Sequence, residues 1–438
     1  GSFLFGSFFF RTSERKSAKT NYYFMQYILS SPAALHTDIS LPASKSISNR
    51  ALILHALARG RQPLHHLSDC DDTRVMIEAL QGNDRVVDIL AAGTAMRFLT
   101  AYFCVTPGTR ILTGTQRMRQ RPIGILVEAL RSLGARIDYV EQDGFPPLRV
   151  TGAALQGSEV TLAGHVSSQY ISALLMVGAV LPGGLRLTLE GNIVSRPYID
   201  LTLRLMRDFG AQAEWVSEDC IRVCPGGYKD VEFTVESDWS AASYWYEMVA
   251  LAGRGAEVSL HGLFAQSYQG DSRGAELFSR LGVRTAYTAG GVRLSYSGNT
   301  VERLEEDLVD IPDLAQTFVV TCCLLGVPFR FTGLQSLKIK ETDRIEALKA
   351  ELRKLGYIVR SEHDSVLSWE GERCEPCASP VIRTYEDHRM AMAFAPASLR
   401  VPGLCIAEPQ VVSKSYPAYW QHLQAAGFLC KDAACPLS

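Results

Sequence analysis

The 438-residue sequence predicts an α/β fold of two domains, each built from three copies of a strand-helix-strand-helix unit, six repeats in all. Three observations carry that expectation. An amphipathic helical segment closing on an apolar residue and a glycine returns at near-even intervals. Between its copies lie helical segments that are apolar almost all round, and strand-like runs separate the two. The recurring glycines are Gly82, Gly134, Gly210, Gly282, Gly356 and Gly427, spaced by 52, 76, 72, 74 and 71 residues. They close DDTRVMIEALQG, IGILVEALRSLG, LTLRLMRDFG, AELFSRLG, IEALKAELRKLG and YWQHLQAAG. Each glycine fits a left-handed helix C-cap, where a side chain is penalised.

In chain order, residues 1–24 come first, and regular patterning begins only at Met25. Their apolar stretch precedes the basic residues, the reverse of a secretory signal, so a non-native or disordered extension is expected. The division expected beyond it is one domain from 25–43 with 238–438, and an inserted domain from 44–237. The apolar helices are ISNRALILHALARG, TAMRFLTAYF, SSQYISALLMVGAVL, SAASYWYEMVALAG, PDLAQTFVVTCCLLG and HRMAMAFAPASL. Strands such as LRLTLEG, GVRLSYSG and PFRFTG lie between. Each apolar helix opens on small polar, glycine or charged residues. A helix start taken out of water leaves N–H groups that need a partner, and its dipole favours an anion. Several such starts meeting would make a cleft for a multiply charged ligand. Self-capping by Ser or Asp is the ordinary alternative for any single one.

Hydrophobic residues make up 47% of the chain and charged residues 21%, as in a globular protein, with a formal net charge of -2. Near-neutrality without a broad basic stripe argues against nucleic acid as partner. Cationic groups serving an anionic ligand must therefore be gathered locally. No apolar run reaches the ~20 residues of a membrane span. The 11 cysteines include the close pairs Cys220/Cys224, Cys374/Cys377 and Cys430/Cys435. Their separations match no compact zinc module, so no metal is expected and reduced cytoplasmic thiols are.

Several short motifs place charge and hydroxyls at helix starts. In Leu41-Pro42-Ala43-Ser44-Lys45-Ser46-Ile47-Ser48-Asn49-Arg50, Lys45 and Arg50 can hold a phosphate or carboxylate by charge, and Ser46 by hydrogen bond. In Ala92-Gly93-Thr94-Ala95-Met96-Arg97, Gly93 allows close approach of a ligand to the backbone, or only close helix packing. In Arg117-Met118-Arg119-Gln120-Arg121-Pro122, Arg121 is the arginine favoured for a ligand, and Pro122 suits the first turn of the next helix. Ser167-Ser168-Gln169-Tyr170 and Ser195-Arg196-Pro197-Tyr198 cluster short donors, which ordinary capping also explains. Asp313 in Asp310-Ile311-Pro312-Asp313 either complements a helix dipole or orients a substrate hydroxyl. In Lys340-Glu341-Thr342-Asp343-Arg344, a helical segment would set Lys340 and Arg344 one turn apart and require a shared anion, whereas Glu341 can pair internally with Arg344. Arg389, beside His388, and Lys414 complete the set.

Together LPASKSISNRALIL, AGTAMRFLTA, RMRQRPIG, SSQYISALLM, KETDRIEALKAELRKLG and YEDHRMAMAF resemble the 5-enolpyruvylshikimate-3-phosphate synthase family, from about Leu41 to Pro417 in unbroken order. The resemblance implies the enolpyruvyl transferase fold, a pair of inside-out α/β barrel domains that hinge over the ligands. It implies addition of the 5-hydroxyl of 3-phosphoshikimate to C2 of phosphoenolpyruvate, then loss of phosphate from a tetrahedral adduct, on the route to chorismate and aromatic amino acids. Lys45, Ser46, Arg50, Ser167, Ser168, Gln169, Ser195, Asp313 and Lys340 match the family's 3-phosphoshikimate contacts, with Tyr198 beside the ring. Lys45, Gly93, Arg121, Gln169, Arg344, Arg389 and Lys414 match its phosphoenolpyruvate contacts. The catalytic set expected is Asp313 as base, Glu341 as acid and Lys45 sharing either transfer. The resemblance further implies a cytoplasmic monomer using no metal or organic cofactor, with neither nucleic acid nor membrane as partner. Inhibition by glyphosate is expected from the space Gly93 leaves.

The match has departures. Many members carry Asn where Ala91 stands, others carry Asn where Ser336 aligns, and the stretch from Gly82 to Ala91 is short. A sister transferase acting on UDP-N-acetylglucosamine shares the architecture but uses a cysteine loop, and TQRMRQRP has none. A non-catalytic relative would be expected to lack Asp313, Glu341 or the arginines, and all are present.

Overall fold

The computed structural model describes residues 25–433. The extension expected over 1–24 lies outside them, as does Cys435. Two separate hydrophobic cores organise the chain. One gathers Ala43 to Val235; the other gathers Leu29 to Leu41 together with Trp239 to Phe428. The chain passes between them twice, and the two passages are tied to each other. Ser44 N–H donates to Glu236 O and Asp238 N–H to Pro42 O, each at 2.9 Å, while Ala43 bridges to Ser237.

Five four-stranded sheets repeat one topology, a parallel pair followed by two antiparallel steps. In one, Val86–Asp88 lies parallel to Thr109–Thr113, which runs antiparallel to Leu148–Thr151, itself antiparallel to Arg136–Tyr139. The same order recurs from Glu159–Ala163, from His36–Ser40, from Leu304–Asp307 and from Val381–Ile382. A sixth sheet has two strands, Leu64–His65 parallel to Phe233–Thr234. The sheets face solvent on one side. Along Leu185–Glu190, Leu185, Leu187 and Leu189 are buried while Arg186 and Glu190 are exposed, the alternation that a half-buried strand requires.

Inside the sheets run the apolar helices: Lys45–Leu57, Gly93–Cys104 and Ser168–Gly178 in one core, and Trp239–Ala252, Ala315–Leu325 and His388–Phe394 in the other. The amphipathic helices lie between sheets. Four of the expected glycine caps are present as Schellman turns. After Gly124–Ser132, for example, Gly134 N–H donates to Arg131 O and Ala135 N–H to Leu130 O, with Gly134 at φ 100°. Gly210, Gly356 and Gly427 repeat the arrangement.

Two do not. Gly82 is extended, with φ -79° and ψ 160°, because the chain turns directly toward the short strand that follows. Gly282 has φ 88° but lies inside the strand Leu281–Thr288, where the pairing register shifts, so its left-handed backbone serves a β-bulge. Pro122 precedes the N-cap Ile123 of its helix and falls outside the first turn, where it had been expected.

The second core holds an unsupported carboxyl. Glu247 sits mid-helix, fully buried, with neither oxygen hydrogen-bonded among the described residues. Burial pushes it well above its ordinary value of 4.5, outweighing the opposing influence of the neighbouring Thr321 hydroxyl, so the folded protein holds a proton there that the unfolded chain releases. Stability should therefore be greatest below pH 4.5 as far as this group is concerned, and decline as pH rises toward the folded value. Glu247→Gln should unfold at higher urea than the parent at pH 8, with the difference shrinking at pH 5; equal midpoints at both pH values would contradict a neutral Glu247.

Candidate active site

All six apolar helices deliver their N-terminal ends to one place. A cavity of about 360 Å³ between the two cores is lined by Lys45 and Ser46, Gly93 and Thr94, Ser167 and Ser168, Asp238 and Ser240, Asp313, and His388 and Arg389. Asp313 enters from the 3-10 turn Pro312–Leu314 that opens its helix. Six positive dipole ends directed at one cavity make a strong field for anions.

The cationic side chains in that field fall into two groups. Arg50, Arg97 and Arg121 line the cavity and form no ion pair among the described residues. Arg50, 3% exposed, donates to neutral partners: Thr202 Oγ1 at 2.7 Å, Ser46 O at 2.9 Å and Ser172 Oγ at 3.1 Å. Arg97, 5% exposed, donates to Gly93 O at 2.9 Å and lies over the Tyr170 ring. Burial lowers Arg50 from 12.5 to about 10; burial and the neighbouring Arg121 lower Arg97 to about 10. Both remain charged at neutral pH. A guanidinium out of water without a carboxylate is costly, and a ligand anion is what would offset that cost.

The second group is saturated with carboxylates. Asp313 receives Arg389 at 2.9 Å, Arg344 at 3.3 Å and Lys340 at 3.6 Å. Glu341 receives Lys414 at 2.9 Å and Arg344 at 3.0 Å, and Arg344 also reaches Asp387 at 2.6 Å. Lys45 pairs with Asp72 at 3.3 Å. Burial alone would raise the Asp313 carboxyl, but Arg389, Lys340 and Arg344 outweigh it and hold the group well below the carboxylate range. Glu341 is likewise held well below 4.5, with Lys414 and Arg344 overcoming burial. Burial is the largest single influence on Lys45 and lowers it, but Asp72, Cys70 and Glu341 together outweigh burial and raise it. Lys340 is lowered: Asp313 supports its charge, but burial and Arg344 together prevail.

Of the residues singled out in the sequence, Lys45, Ser46, Arg50, Gly93, Arg121, Ser167, Ser168, Gln169, Ser195, Tyr198, Asp313, Lys340, Glu341, Arg344 and Arg389 line this one cavity. Lys414 stands behind the lining, and its ammonium reaches in to Glu341 and to Ala91 O at 3.2 Å. Lys340 is extended and the helix begins only at Arg344, so the two are not a helical turn apart, yet both reach the Asp313 carboxylate, and the internal Glu341–Arg344 pair is present as well. At Ala91 the backbone carbonyl engages Lys414, so an amide side chain is not needed for that contact. Ser336 lines the cavity, and its hydroxyl is buried with no hydrogen-bond partner among the described residues. Ser195 holds a left-handed conformation, φ 55°, where its N–H donates across the lobes to Val309 O.

The cavity is also lined by Arg97, Asp72, His165, Asp238 and Tyr244, which sequence reasoning did not single out as site residues, and by His388, whose sequence alone favours a structural role. Arg97 had a signal, a lone cation one turn after Gly93 in an otherwise apolar helix. His388 is buried with neither ring nitrogen hydrogen-bonded among the described residues, although Asp387 Oδ1 lies 3.8 Å from Nδ1; burial, then Lys45 and Arg389, hold it neutral.

Two α/β lobes with buried helix starts, unpaired arginines and ionised carboxylates around one cavity define an enzyme for small, multiply anionic substrates. The family model described as EPSP synthase (3-phosphoshikimate 1-carboxyvinyltransferase) matches residues 29–82 and 80–423. A 3-phosphoshikimate 1-carboxyvinyltransferase of Bacteroides fragilis is 67% identical over 404 residues, covering 92% of this chain and 98% of that protein. The one of Erwinia tasmaniensis is 36% identical over 422 residues, covering 89% and 96%. The solved EPSP synthase of Acinetobacter baumannii superposes with a TM-score of 0.74 at 21% identity, over 93% of this chain and 100% of that one, and so shares the fold. This chain belongs to the EPSP synthase family.

An anion site built on unpaired arginines should be detectable without substrate chemistry. Inorganic phosphate at 100 times its Kd should stabilise the folded protein by about 2.7 kcal/mol, raising the thermal midpoint. Arg50→Met or Arg97→Met should diminish that rise; an undiminished rise in both would place phosphate elsewhere.

Proposed function

We propose that this chain transfers the enolpyruvyl group of phosphoenolpyruvate to the 5-hydroxyl of 3-phosphoshikimate, releasing phosphate. The observation that carries the reading is the convergence of cations from both lobes, on six helix N-termini, around paired carboxylates. Phosphoenolpyruvate brings a phosphate and a carboxylate; 3-phosphoshikimate brings another of each. Arg121, Arg344, Arg389, Lys414 and Lys45 form the clamp for phosphoenolpyruvate, with Gly93 and Gln169 beside it. Ser46, Arg50, Ser167, Ser168, Gln169, Ser195 and Lys340 receive 3-phosphoshikimate, with Tyr198 against its ring.

Asp313 is the base at the acceptor hydroxyl, since its neighbours keep it ionised at any working pH. As the oxygen attacks C2, positive character at that carbon is met by the bound anions, and C3 takes a proton from Glu341. Lys414 and Arg344 favour the ionised form of Glu341; a substrate phosphate competing for the same two cations loosens that hold and lets the carboxyl carry a proton. Elimination reverses the C3 transfer and expels phosphate. Lys45, held as an ammonium by its carboxylate neighbours before substrate binds, steadies the bridging region and can share either transfer by giving up and regaining its proton. Closing the lobes over the pair excludes water and strengthens each contact. The same reading has the enzyme acting as a cytoplasmic monomer and open to glyphosate inhibition.

The deciding assay is phosphate release from phosphoenolpyruvate with and without 3-phosphoshikimate. Release should require the acceptor, and UDP-N-acetylglucosamine should not replace it. Asp313→Asn and Glu341→Gln should each lower kcat by about 10²–10⁴-fold, while near-normal turnover in a folded variant would remove that residue from its role.

A Cβ at position 93 would stand 2.6 Å from Arg121 Nη1 and 2.9 Å from Arg97 Nη1, so both guanidinium groups would have to move. Gly93 has no positive φ, and the fold should tolerate alanine. Gly93→Ala should raise KM for phosphoenolpyruvate by about 10- to 100-fold, the weight of one displaced charged hydrogen bond, with KM for 3-phosphoshikimate little changed.

A further inference from the structure

Asp271 has no part in the assignment above. It lies 5% exposed in the 3-10 turn Gly270–Arg273, does not line the cavity and forms no ion pair among the described residues. Its turn is pressed against the start of the helix Arg196–Asp208, closely enough that a Cβ on Gly270 would overlap the Pro197 ring. That contact brings the Tyr198 hydroxyl between two carboxyl groups. It stands 3.3 Å from Asp271 Oδ1 and 3.5 Å from Oδ2, and 3.4 Å from Asp313 Oδ2. Ser240 donates to Asp271 from the side.

A phenol touching two carboxylates from the opposite lobe can pass a proton between them, accepting one as it gives up its own. We propose that Tyr198 and Asp271 relay into a buried store the proton that Asp313 takes from the acceptor hydroxyl. The proposal rests on Asp313 being the base. Asp271 touches no substrate atom in it and acts through Tyr198, as a positioning residue. The acceptor O–H breaks, its electron pair staying on the attacking oxygen, and the proton goes to Asp313 Oδ2. Asp313 returns it to Tyr198 Oη while Tyr198 gives its own proton to Asp271. Asp313 is again a carboxylate, Tyr198 is unchanged and Asp271 is a carboxylic acid. The reverse path, through Tyr198 and Asp313, hands the proton to the departing phosphate.

The electrostatics favour that direction. Asp313 cannot keep a proton among Arg389, Lys340 and Arg344. Asp271 can, because burial and the charge of Asp313 push it up to about 7, with Asp238 adding to the rise and Ser240 and Arg389 opposing it. Tyr198 is itself raised by burial and by both carboxylates, so it stays protonated between transfers.

The test compares Asp271→Asn, Tyr198→Phe and Asp313→Asn, using thermal midpoints to confirm folding. Asparagine preserves shape at 271 and still accepts from Tyr198, with Ser240 turned to accept from its amide, but it takes up no proton. The relay requires that kcat fall about 10²-fold in Asp271→Asn, with KM for 3-phosphoshikimate held. It also requires that the parent lose kcat below pH about 7 and that this acid limb be absent from Asp271→Asn. A merely structural Asp271 would leave the limb in place. If Asp271→Asn does not fold, Tyr198→Phe decides by the same two readouts, since a ring contact alone would move KM and not kcat. Retained kcat and limb in the variant, with Asp313→Asn inactive, overturn the relay alone; an active Asp313→Asn overturns the base and the relay together.

Discussion

Positive charge held out of water without a matching carboxylate is the constraint on which this structure depends. Arg50 and Arg97 are almost wholly buried and hold only neutral partners. Such groups survive folding because the surrounding architecture is rigid and because the hydroxyls of Thr202 and Ser172 give the guanidinium of Arg50 a fixed orientation. The inside-out arrangement follows from the same need. Helices placed inside, with their N-termini meeting at one point, supply backbone donors that no solvent-facing helix could direct at a common ligand. The sheets, moved outside, cover them.

A second physical theme is the sharing of carboxylates. Arg344 alone contacts Asp313, Glu341 and Asp387. A cation committed to three acids does not move freely, and this fixes the two groups that the proposed chemistry uses. The price is that both acids are strongly ionised before any substrate arrives. Groups able to hold protons near neutrality must then be found elsewhere, and Asp271 is such a group.

Much of this was legible in the sequence, for identifiable reasons. Gly134, Gly210, Gly356 and Gly427 mark real helix ends because a Schellman turn needs the left-handed residue that glycine supplies cheaply. Gly282 has the same backbone sign in a bulge, and Gly82 does not have it at all. A glycine after an apolar run therefore reports a bend without saying which kind. Among site residues, those at helix starts were readable because polar side chains preceding greasy helices stand out. Arg97 was legible as a lone cation in an apolar helix, but Asp72 and Asp271 were hidden because their meaning lies in partners 27 and 73 residues away. Local patterning reveals which groups are unusual; only the packing reveals which of them meet.

The strand Gln26–Ser30 pairs with Cys405–Ala407 on one side and Leu429–Ala433 on the other, so its neighbours are translated about 380 residues later. At some 5–20 residues per second, that is a wait of roughly 20–75 s on the ribosome. The core from Ala43 to Val235 uses contiguous sequence and can close during that interval, while the first strand stays unpaired beside it. The lobe that contributes Asp313 and Arg389 is thus completed last, and a nascent chain stalled before residue 405 would carry a finished half-cleft tethered to an open edge.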